Sequence, residues 1–369
     1  MQKQKIAIIS VLKPVDDIRS YRKIAQSISE IDFVEIHLFG QRSKSQSESS
    51  EPFHFHPHNA HHYGPISRLL IGIRIFFKLF KVRPKVIMSN THELLIVTVL
   101  CKILFGSKIL YDIQENYYFN LLYQNNYSWL LRFPLAVFIR AKETLLSKFF
   151  DHFVLAERTY SQELSFLKNR FSILENKAII PNGWEKFDNP ESGKTFLFSG
   201  TLTESNGIKK AITWFQKIMV TLPDVKLIIA GHCPGQEMYN FLKSLENESI
   251  ELDISRRPIP YVQIQNHIRA SDVGIVSYQT NKSNQHCMPT KVFEYLASGL
   301  PLIFEKGAHW EKLINEKNGG IAMNQDMSNH DHVVDWVTGS KKKNSLSEDE
   351  DLVWIVERKK IIEIITPLI

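Results

Sequence analysis

Short runs of β-branched and aromatic residues recur along this chain, and most are followed by a stretch with helical spacing. No other feature of the sequence constrains the fold as much. Ile6-Ala7-Ile8-Ile9 precedes a helical pattern over residues 18–28. Residues 34–39, 85–88, 108–111 and 153–155 read as further strands, with a helix over about 92–104. Continuous apolar strands are buried on both faces, which predicts parallel sheets covered by helices. A second alternation starts after Pro181-Asn182-Gly183. Its strands are 196–198, 226–230, 272–276 and 301–303, and its helices about 207–219, 235–245 and 290–297. Two tandem α/β units joined near 181–195 follow from this pattern.

Length and composition agree with that reading. The 369 residues, 43% apolar and 23% charged, make an ordinary globular chain with room for two or three domains. Cys101, Cys233 and Cys287 stand in no C-x-x-C spacing, which excludes a disulfide scaffold and a structural zinc site. A net charge of +6 suits an anionic substrate or membrane surface better than duplex DNA. The apolar run in MQKQKIAIIS is too short for a signal sequence, so a cytoplasmic protein is expected. The longest uncharged apolar run, 94–101, falls far short of the ~20 residues that a membrane span needs.

Several segments read as connections. Residues 43–51 (SKSQSESSE) suggest a polar loop and 340–344 (SKKKN) a charged one. Ser345-x-x-Glu348 is a capping box ahead of a last helix that ends IVERKKIIEII. No repeat of 20–50 residues is present.

Two stretches carry chemistry. In FLFSGTLTESNGIKKAI (196–212) a strand ends in Ser-Gly before a helix. A glycine lets a phosphate approach the backbone, and a helix start offers it free N–H groups. An ordinary strand-to-helix turn reads the same way. In MPTKVFEYLASGLPLI (288–303), Pro289 leads into a helix that Thr290 is expected to cap, and Lys291 and Glu294 share its first face. A lysine at a positive helix end suits a diphosphate, and a glutamate one turn later suits a sugar's hydroxyl pair. A surface ion pair followed by a C-cap at Ala297-Ser298-Gly299 is the plain alternative.

With these residues in view, the chain resembles the family 4, or group 1, retaining glycosyltransferases of the GT-B fold. The 288–303 stretch is similar to their C-terminal signature of proline, lysine, Glu-Tyr, Ala and Gly-Leu-Pro before a strand. KLIIAG (226–231), Pro258-Ile259-Pro260-Tyr261, Ala270-Ser271-Asp272-Val273-Gly274 and Asn318-Gly319-Gly320-Ile321 resemble further family stretches in order. Upstream, Asp17-Ile18-Arg19 resembles a D-x-R pattern, and Tyr111-Asp112-Ile113-Gln114-Glu115 a Tyr-Asp-x-His-Glu turn. Pro181-Asn182-Gly183 resembles the hinge strand, and the last helix, with Trp354 and Lys359, one that crosses back to the first domain.

The resemblance implies an α/β, GT-B architecture of two Rossmann-like, doubly wound domains facing across a cleft. The first, on the acceptor side, would be 1–183 plus a final helix 346–369. The second, 190–345, would bind the nucleotide-sugar. It implies transfer of a sugar from a nucleotide-sugar, a UDP or GDP conjugate, to a glycan or lipid-linked acceptor in surface polysaccharide assembly. No cofactor, metal or nucleic acid is implied. Glu115, Lys291 and Glu294 take the catalytic positions. Ser199, Gly200, Thr201, Asn206 and Gly231 fall in the donor site, as do Pro258, Ile259, His286, Pro289 and Thr290. Arg19, His92, Glu93 and Gln114 fall on the acceptor side.

Departures accompany the match. Thr201 and Asn206 occupy the places of an arginine and a lysine that hold the donor diphosphate. His286 stands where the first of two glutamates is common, and Gln114 replaces the histidine of its turn. These losses leave open a catalytically degenerate binding subunit. A nucleotide-sugar epimerase would need acid/base carboxylates and histidines that the sequence does not supply. Lys209 and Lys210 read as a solvated helix face or as substitutes for the lost cations.

Other groups have plainer readings. HFHPHNAHH (54–62) fits a variable loop, with divalent-metal binding as the alternative. Asp349-Glu350-Asp351 reads as acidic charge at a helix start rather than a metal-binding D-x-D. His92-Glu93 either touches the acceptor or is a helix-start charge pair. Cys287 has no base beside it. Residues 68–83 (RLLIGIRIFFKLFKVR) and 129–150 mix cations with apolar residues. They form either core helices with solvated lysines or helices that dock on an inner-leaflet membrane surface.

Overall fold

The structure is a computed structural model that describes residues 3–43, 49–59, 65–123, 128–181, 183–185, 194–339 and 346–369. Two compact units emerge, one of Met1–Asn176 with Trp354–Ile369 and one of Lys177–Val353.

The first unit begins with β1 (Gln4–Pro14), in which Ile6 to Val11 are buried without a break. A helical segment follows, wound as π-helix over Ile18–Ala25 and then α1 (Gln26–Ile28). Next come β2 (Val34–Gln41), β3 (Phe53–His58), α2 (Pro65–Val82) and β4 (Val86–Ser89). A 3-10 turn, His92–Leu94, leads into α3 (Leu95–Phe105), which Gly106 ends at φ +74°. The unit continues through β5 (Lys108–Ile113), α4 (Tyr117–Tyr123), α5 (Trp129–Leu146), β6 (His152–Leu155), α6 (Tyr160–Glu163) and β7 (Phe171–Ile173). Its parallel sheet has the order β3-β2-β1-β4-β5-β6-β7. The crossovers through α2, α3 and α5 all run in the same direction along the sheet. Right-handed connections therefore place these helices on one face.

The second unit contains β8 (Thr195–Thr201), α7 (Ile208–Thr221), β9 (Lys226–His232), α8 (Gln236–Lys243), β10 (Ile250–Ser255), α9 (Tyr261–Ala270) and β11 (Val273–Val276). It continues with α10 (Thr290–Ala297), β12 (Leu302–Glu305), α11 (Glu311–Glu316), β13 (Gly320–Met323) and α12 (His330–Gly339). Its parallel sheet is ordered β10-β9-β8-β11-β12-β13. Strand alternation divides the core between two layers: Phe196 and Phe198 enter one, Leu197 the other. The order reverses between β8 and β11, which is where an open parallel sheet presents a ligand crevice at its strand ends.

The structure departs from the sequence reading in several places. The histidine-rich tract is an edge strand over 53–58, and its residues 60–62 lie outside the described ones. In-register pairing with β2 stacks His37 on His54 at 5.0 Å and Phe39 on His56 at 4.3 Å. Burial lowers the His56 pKa to about 4, and it lowers His37 as well, so these rings pack as neutral aromatics. Among the described residues, no group of three His, Cys, Asp or Glu side chains is placed to hold a metal.

The last helix, α13, spans Ile355–Ile365 and does not begin at 346. Ser345 lies outside the described residues, so the capping box does too. Asp349 and Asp351 sit in turns, where both accept from Lys317, at 2.7 and 2.9 Å. The segment before α13 belongs to the second unit: Ala178 bridges Val353, and Lys177 Nζ donates to the Glu350 carbonyl. That places 177–181 in the second unit as well, earlier than the expected boundary at 183. Asn182 of the expected hinge and most of the expected 43–51 and 340–344 loops lie outside the described residues.

Candidate functional site

The second unit gathers its polar groups at the reversal point. Near the end of β8 lies Gly200, whose φ of +107° suits glycine, and Gly231 of β9 pairs with it at φ +146°. A Cβ on Gly231 would lie 1.9 Å from the Gly200 carbonyl oxygen, so only glycine lets these strand ends close up. Gly207 is the N-cap residue of α7 at φ +83°, where a Cβ would meet the Ser277 carbonyl oxygen at 1.7 Å. Ser277 Oγ donates back to the Gly207 carbonyl. The turn after β8 is thereby held against the end of β11.

Opposite this turn lies the start of α10. Pro289 is its N-cap residue, and no side chain caps the helix. Thr290 is its first helical residue rather than the expected cap. The open N–H groups and the helix dipole favour an anion here. Lys291 is only 6% exposed, and its ammonium group reaches over Gly200. Nζ lies 4.0 Å from the centre of the Phe198 ring and 5.1 Å from that of Tyr278. It has no hydrogen-bond partner among the described residues. Burial pushes its pKa down to about 7, against the opposing pull of Glu294. A buried cation with three unused donors is costly unless an anion arrives to meet it.

Glu294 is buried one turn further along and accepts from the Tyr261 hydroxyl at 2.9 Å. Tyr261 opens α9 directly after Pro258-Ile259-Pro260, so that loop and the carboxylate are joined through one hydrogen bond. Pro258 is exposed, and Ile259 packs against the core.

Several expected donor contacts are engaged elsewhere. Ser199 is buried, and both its N–H and its hydroxyl meet the Tyr295 hydroxyl, at 3.1 and 2.7 Å. It locks β8 to α10 rather than facing a ligand. Asn206 Nδ2 donates to the Thr201 carbonyl at 2.8 Å and closes the turn. Thr201 and His286 are exposed, and the His286 ring meets His309 edge-on. Lys209 pairs with Glu204 at the surface, while Lys210 pairs with the buried Glu305 at 2.9 Å. Neither lysine replaces the missing cations.

In the first unit, Arg19 is 4% exposed and donates through Nε and Nη2 to Asp112, at 2.7–3.2 Å. Its Nη1 donates to the Leu174 carbonyl and to Asn176 Oδ1. Gln114 Nε2 supports the same carboxylate at 2.7 Å. Arg19 therefore ties three segments of the unit together, with four of its five N–H donors engaged by protein. His92 accepts from Lys142 Nζ at 2.9 Å and lies 3.7 Å from Glu93, which also accepts from Arg68 at 3.1 Å. Burial lowers His92 to about 4 and keeps it neutral. This cluster is the helix-start charge arrangement, extended by Lys142. Glu115 is exposed and accepts from Asn120 at 2.8 Å.

The aromatic cradle of Lys291, Phe198 and Tyr278, had no signal in the sequence. Both residues read only as strand or loop positions. Lys142 was equally hidden, because it meets His92 across 50 residues of chain.

Residues 183–350, which hold this second-unit geometry, match the family model for glycosyl transferases group 1. The segment is a group 1 glycosyltransferase domain. No curated protein sequence matches the chain. Among solved structures, sucrose-phosphate synthase from Thermosynechococcus elongatus superimposes with a TM-score of 0.74 at 13% identity, over 99% of both chains. The catalytic domain of starch synthase IV from Arabidopsis thaliana, bound to ADP and acarbose, gives 0.67 at 11%, over 100% and 99%. The Anabaena protein HepE in complex with UDP and glucose gives 0.63 at 12%, over 98% and 99%. Identities this low carry the fold alone, and that fold is GT-B. The group 1 domain thus supplies a glycosyltransferase assignment, and Lys291, Glu294 and the Gly200 turn lie within it.

Proposed function

We propose that the chain is a retaining transferase of the family 4 kind. It moves a sugar from a nucleotide-sugar to a glycan or lipid-linked acceptor in surface polysaccharide assembly, and it needs no metal. One observation carries this reading: the unpartnered, buried Lys291 ammonium over the Gly200 turn at the open end of α10. An ammonium, free helix N–H groups and a glycine that admits close approach together suit a diphosphate. Glu294 would accept from the donor ribose, with Tyr261 holding the carboxylate in place. The base would lie beside Pro258 and Ile259. HepE was solved with UDP and glucose, which makes a UDP-sugar the first donor to try, ahead of GDP conjugates.

In the proposed reaction the bond from the anomeric carbon to the diphosphate oxygen breaks, and the acceptor oxygen bonds to the same face of that carbon. The acceptor proton passes to the departing diphosphate, so no strong protein base is required. Lys291 and the helix end stabilise the charge that builds on the leaving group. Glu115 is assigned to the acceptor side.

The test is release of nucleoside diphosphate from UDP- and GDP-sugars, with and without a chelator. Turnover that survives the chelator and is lost in Glu294→Ala supports the reading; unchanged turnover in Glu294→Ala contradicts the assignment of that residue. A second reading, a degenerate binding subunit, is favoured by the neutral Thr201 and the engaged Asn206. It predicts nucleotide binding without turnover.

A further inference from the structure

In the second unit two loops leave the carboxyl ends of neighbouring strands, residues 277–289 after β11 and 306–310 after β12. They bring two histidines together. His286 and His309 are both exposed, with ring centres 5.8 Å apart and planes at 81°. The next residue, Trp310, meets Tyr278 edge-on at 5.9 Å, and the Tyr278 ring lies 5.1 Å from Lys291 Nζ. A contiguous set of rings therefore runs from the ammonium at the proposed diphosphate position to the histidine pair. His286 also stands three residues before Pro289, the N-cap of α10. The pair thus borders the place where a sugar would hang from that diphosphate.

The hydrogen-bonding character of this border is one-sided. The Trp310 indole N–H is buried and has no partner among the described residues. An indole N–H can only donate. Gln285 Nε2 meets His286 Nε2 at 3.0 Å. With the amide as donor, His286 accepts there, and the proton of its neutral ring sits on Nδ1 as a second donor. The carboxylates of the same loops and of α10 are engaged by protein. Glu305 pairs with Lys210 at 2.9 Å, Glu311 accepts from the Gly307 N–H at 2.6 Å, and Glu294 accepts from Tyr261. Donors without matching acceptors suit a group that only accepts. A sugar hydroxyl must also place its own proton, whereas a carboxylate has none to place. Hydrogen bonds to an ionised acceptor are also the stronger ones. An imidazole accommodates a carboxylate whether neutral or charged, and a glutamate at position 286 would repel it.

We propose that the donor's sugar is acidic, a hexuronate whose carboxylate is met by His286 and His309. The proposal rests on the donor-site reading above and names the sugar class for it. Calorimetric titration of the full chain compares UDP, UDP-glucose and UDP-glucuronate, and GDP, GDP-mannose and GDP-mannuronate. The native chain is run beside His286→Glu and His309→Ala, with circular dichroism to check that each variant folds. Each conjugate is read as a ratio to its own free nucleotide, so a general loss of the site cancels. In one of the two series the native chain should bind the uronate at least tenfold tighter than the neutral conjugate. His286→Glu should invert that preference, and His309→Ala should reduce it at least threefold. If the native chain binds a nucleotide and holds its neutral conjugate as tightly as its uronate, the proposal is overturned while the donor site stands. A uronate preference that either variant retains in full overturns it too. Binding of none of the six ligands overturns both readings together.

Discussion

Lys291 shows how burial tunes a common side chain for the diphosphate proposed to meet it. Its pKa of about 7 lies well below the lysine norm because the ammonium is desolvated, with Glu294 only partly compensating. An incoming diphosphate stabilises the charged form and raises that pKa. Binding above pH 7 should therefore take up a proton, and affinity should fall as pH rises through 7. Calorimetry with UDP in two buffers of different ionisation enthalpy reads the uptake directly, and Lys291→Met should abolish it. The same shift acts on folding without ligand. Between about pH 7 and 10.5 the unfolded lysine holds a proton that the folded one has lost, so this group's contribution to stability rises with pH in that window. Arg19 is the opposite case, a buried cation paired with a carboxylate of the protein. Asp112→Ala would strand its guanidinium in the interior and should cost about 3–5 kcal/mol in denaturant unfolding. Sequence spacing was enough to put Lys291 and Glu294 on one helix face, since three residues make nearly one turn. It could not show that Arg19 is spent on a carboxylate 93 residues away, because that pairing exists only once the sheet has assembled.

At the scale of elements, the turns that shape the proposed donor site rest on backbone that other residues cannot adopt. Gly207→Ala would combine a positive φ with a Cβ 1.7 Å from a carbonyl oxygen. It should destabilise the second unit by about 2–4 kcal/mol, read as a lowered denaturation midpoint, and weaken nucleotide binding. The edge strand β3 responds to acid instead. The His56 pKa is lowered because burial penalises the charged ring, and His37, His54 and Lys78 add repulsion. His37 is also lowered by burial, against the attraction of Glu35, with His54 and Lys5 repelling. Unfolded histidines take up protons at pH values where these rings remain neutral. Stability held by the strand is therefore lost as pH falls from about 6.5 toward 4. Hydrogen exchange at 53–58 should accelerate across that window ahead of β1; equal protection of the two strands would contradict this. Most strands were legible because their residues are apolar throughout. β3 was not, because histidines fill it, and a histidine strand is made apolar only by the neighbours that keep it neutral.

At the scale of the whole molecule, two parallel sheets could be read from the alternation of strands and helices, and the second carried its own signature. The ends of the units were harder to place. Lys177 and Ala178 are drawn into the second unit by contacts with residues 350–353, and α13 returns to the first, where Trp354 Nε1 donates to Ser27 Oγ at 3.0 Å. Those contacts link positions far apart in the chain and leave no local pattern. The mixed composition of α2 and α5 was visible, but which of their apolar residues turn outward, as Phe77 and Trp129 do, was decided by the sheet beneath.

The proposed function requires the second unit to hold a nucleoside diphosphate on Lys291 and the Gly200 turn. A thermal-shift series with UDP, GDP, ADP and their sugar conjugates tests it most directly, with Lys291→Met and Glu294→Ala alongside the native chain. A ligand at about 100 times its Kd stabilises a fold by about 2.7 kcal/mol, which such a series resolves. One nucleotide series should raise the midpoint of the native chain and leave both variants unmoved. If no nucleotide or conjugate shifts the native protein, or if the variants shift as it does, the site is not where the structure places that buried cation.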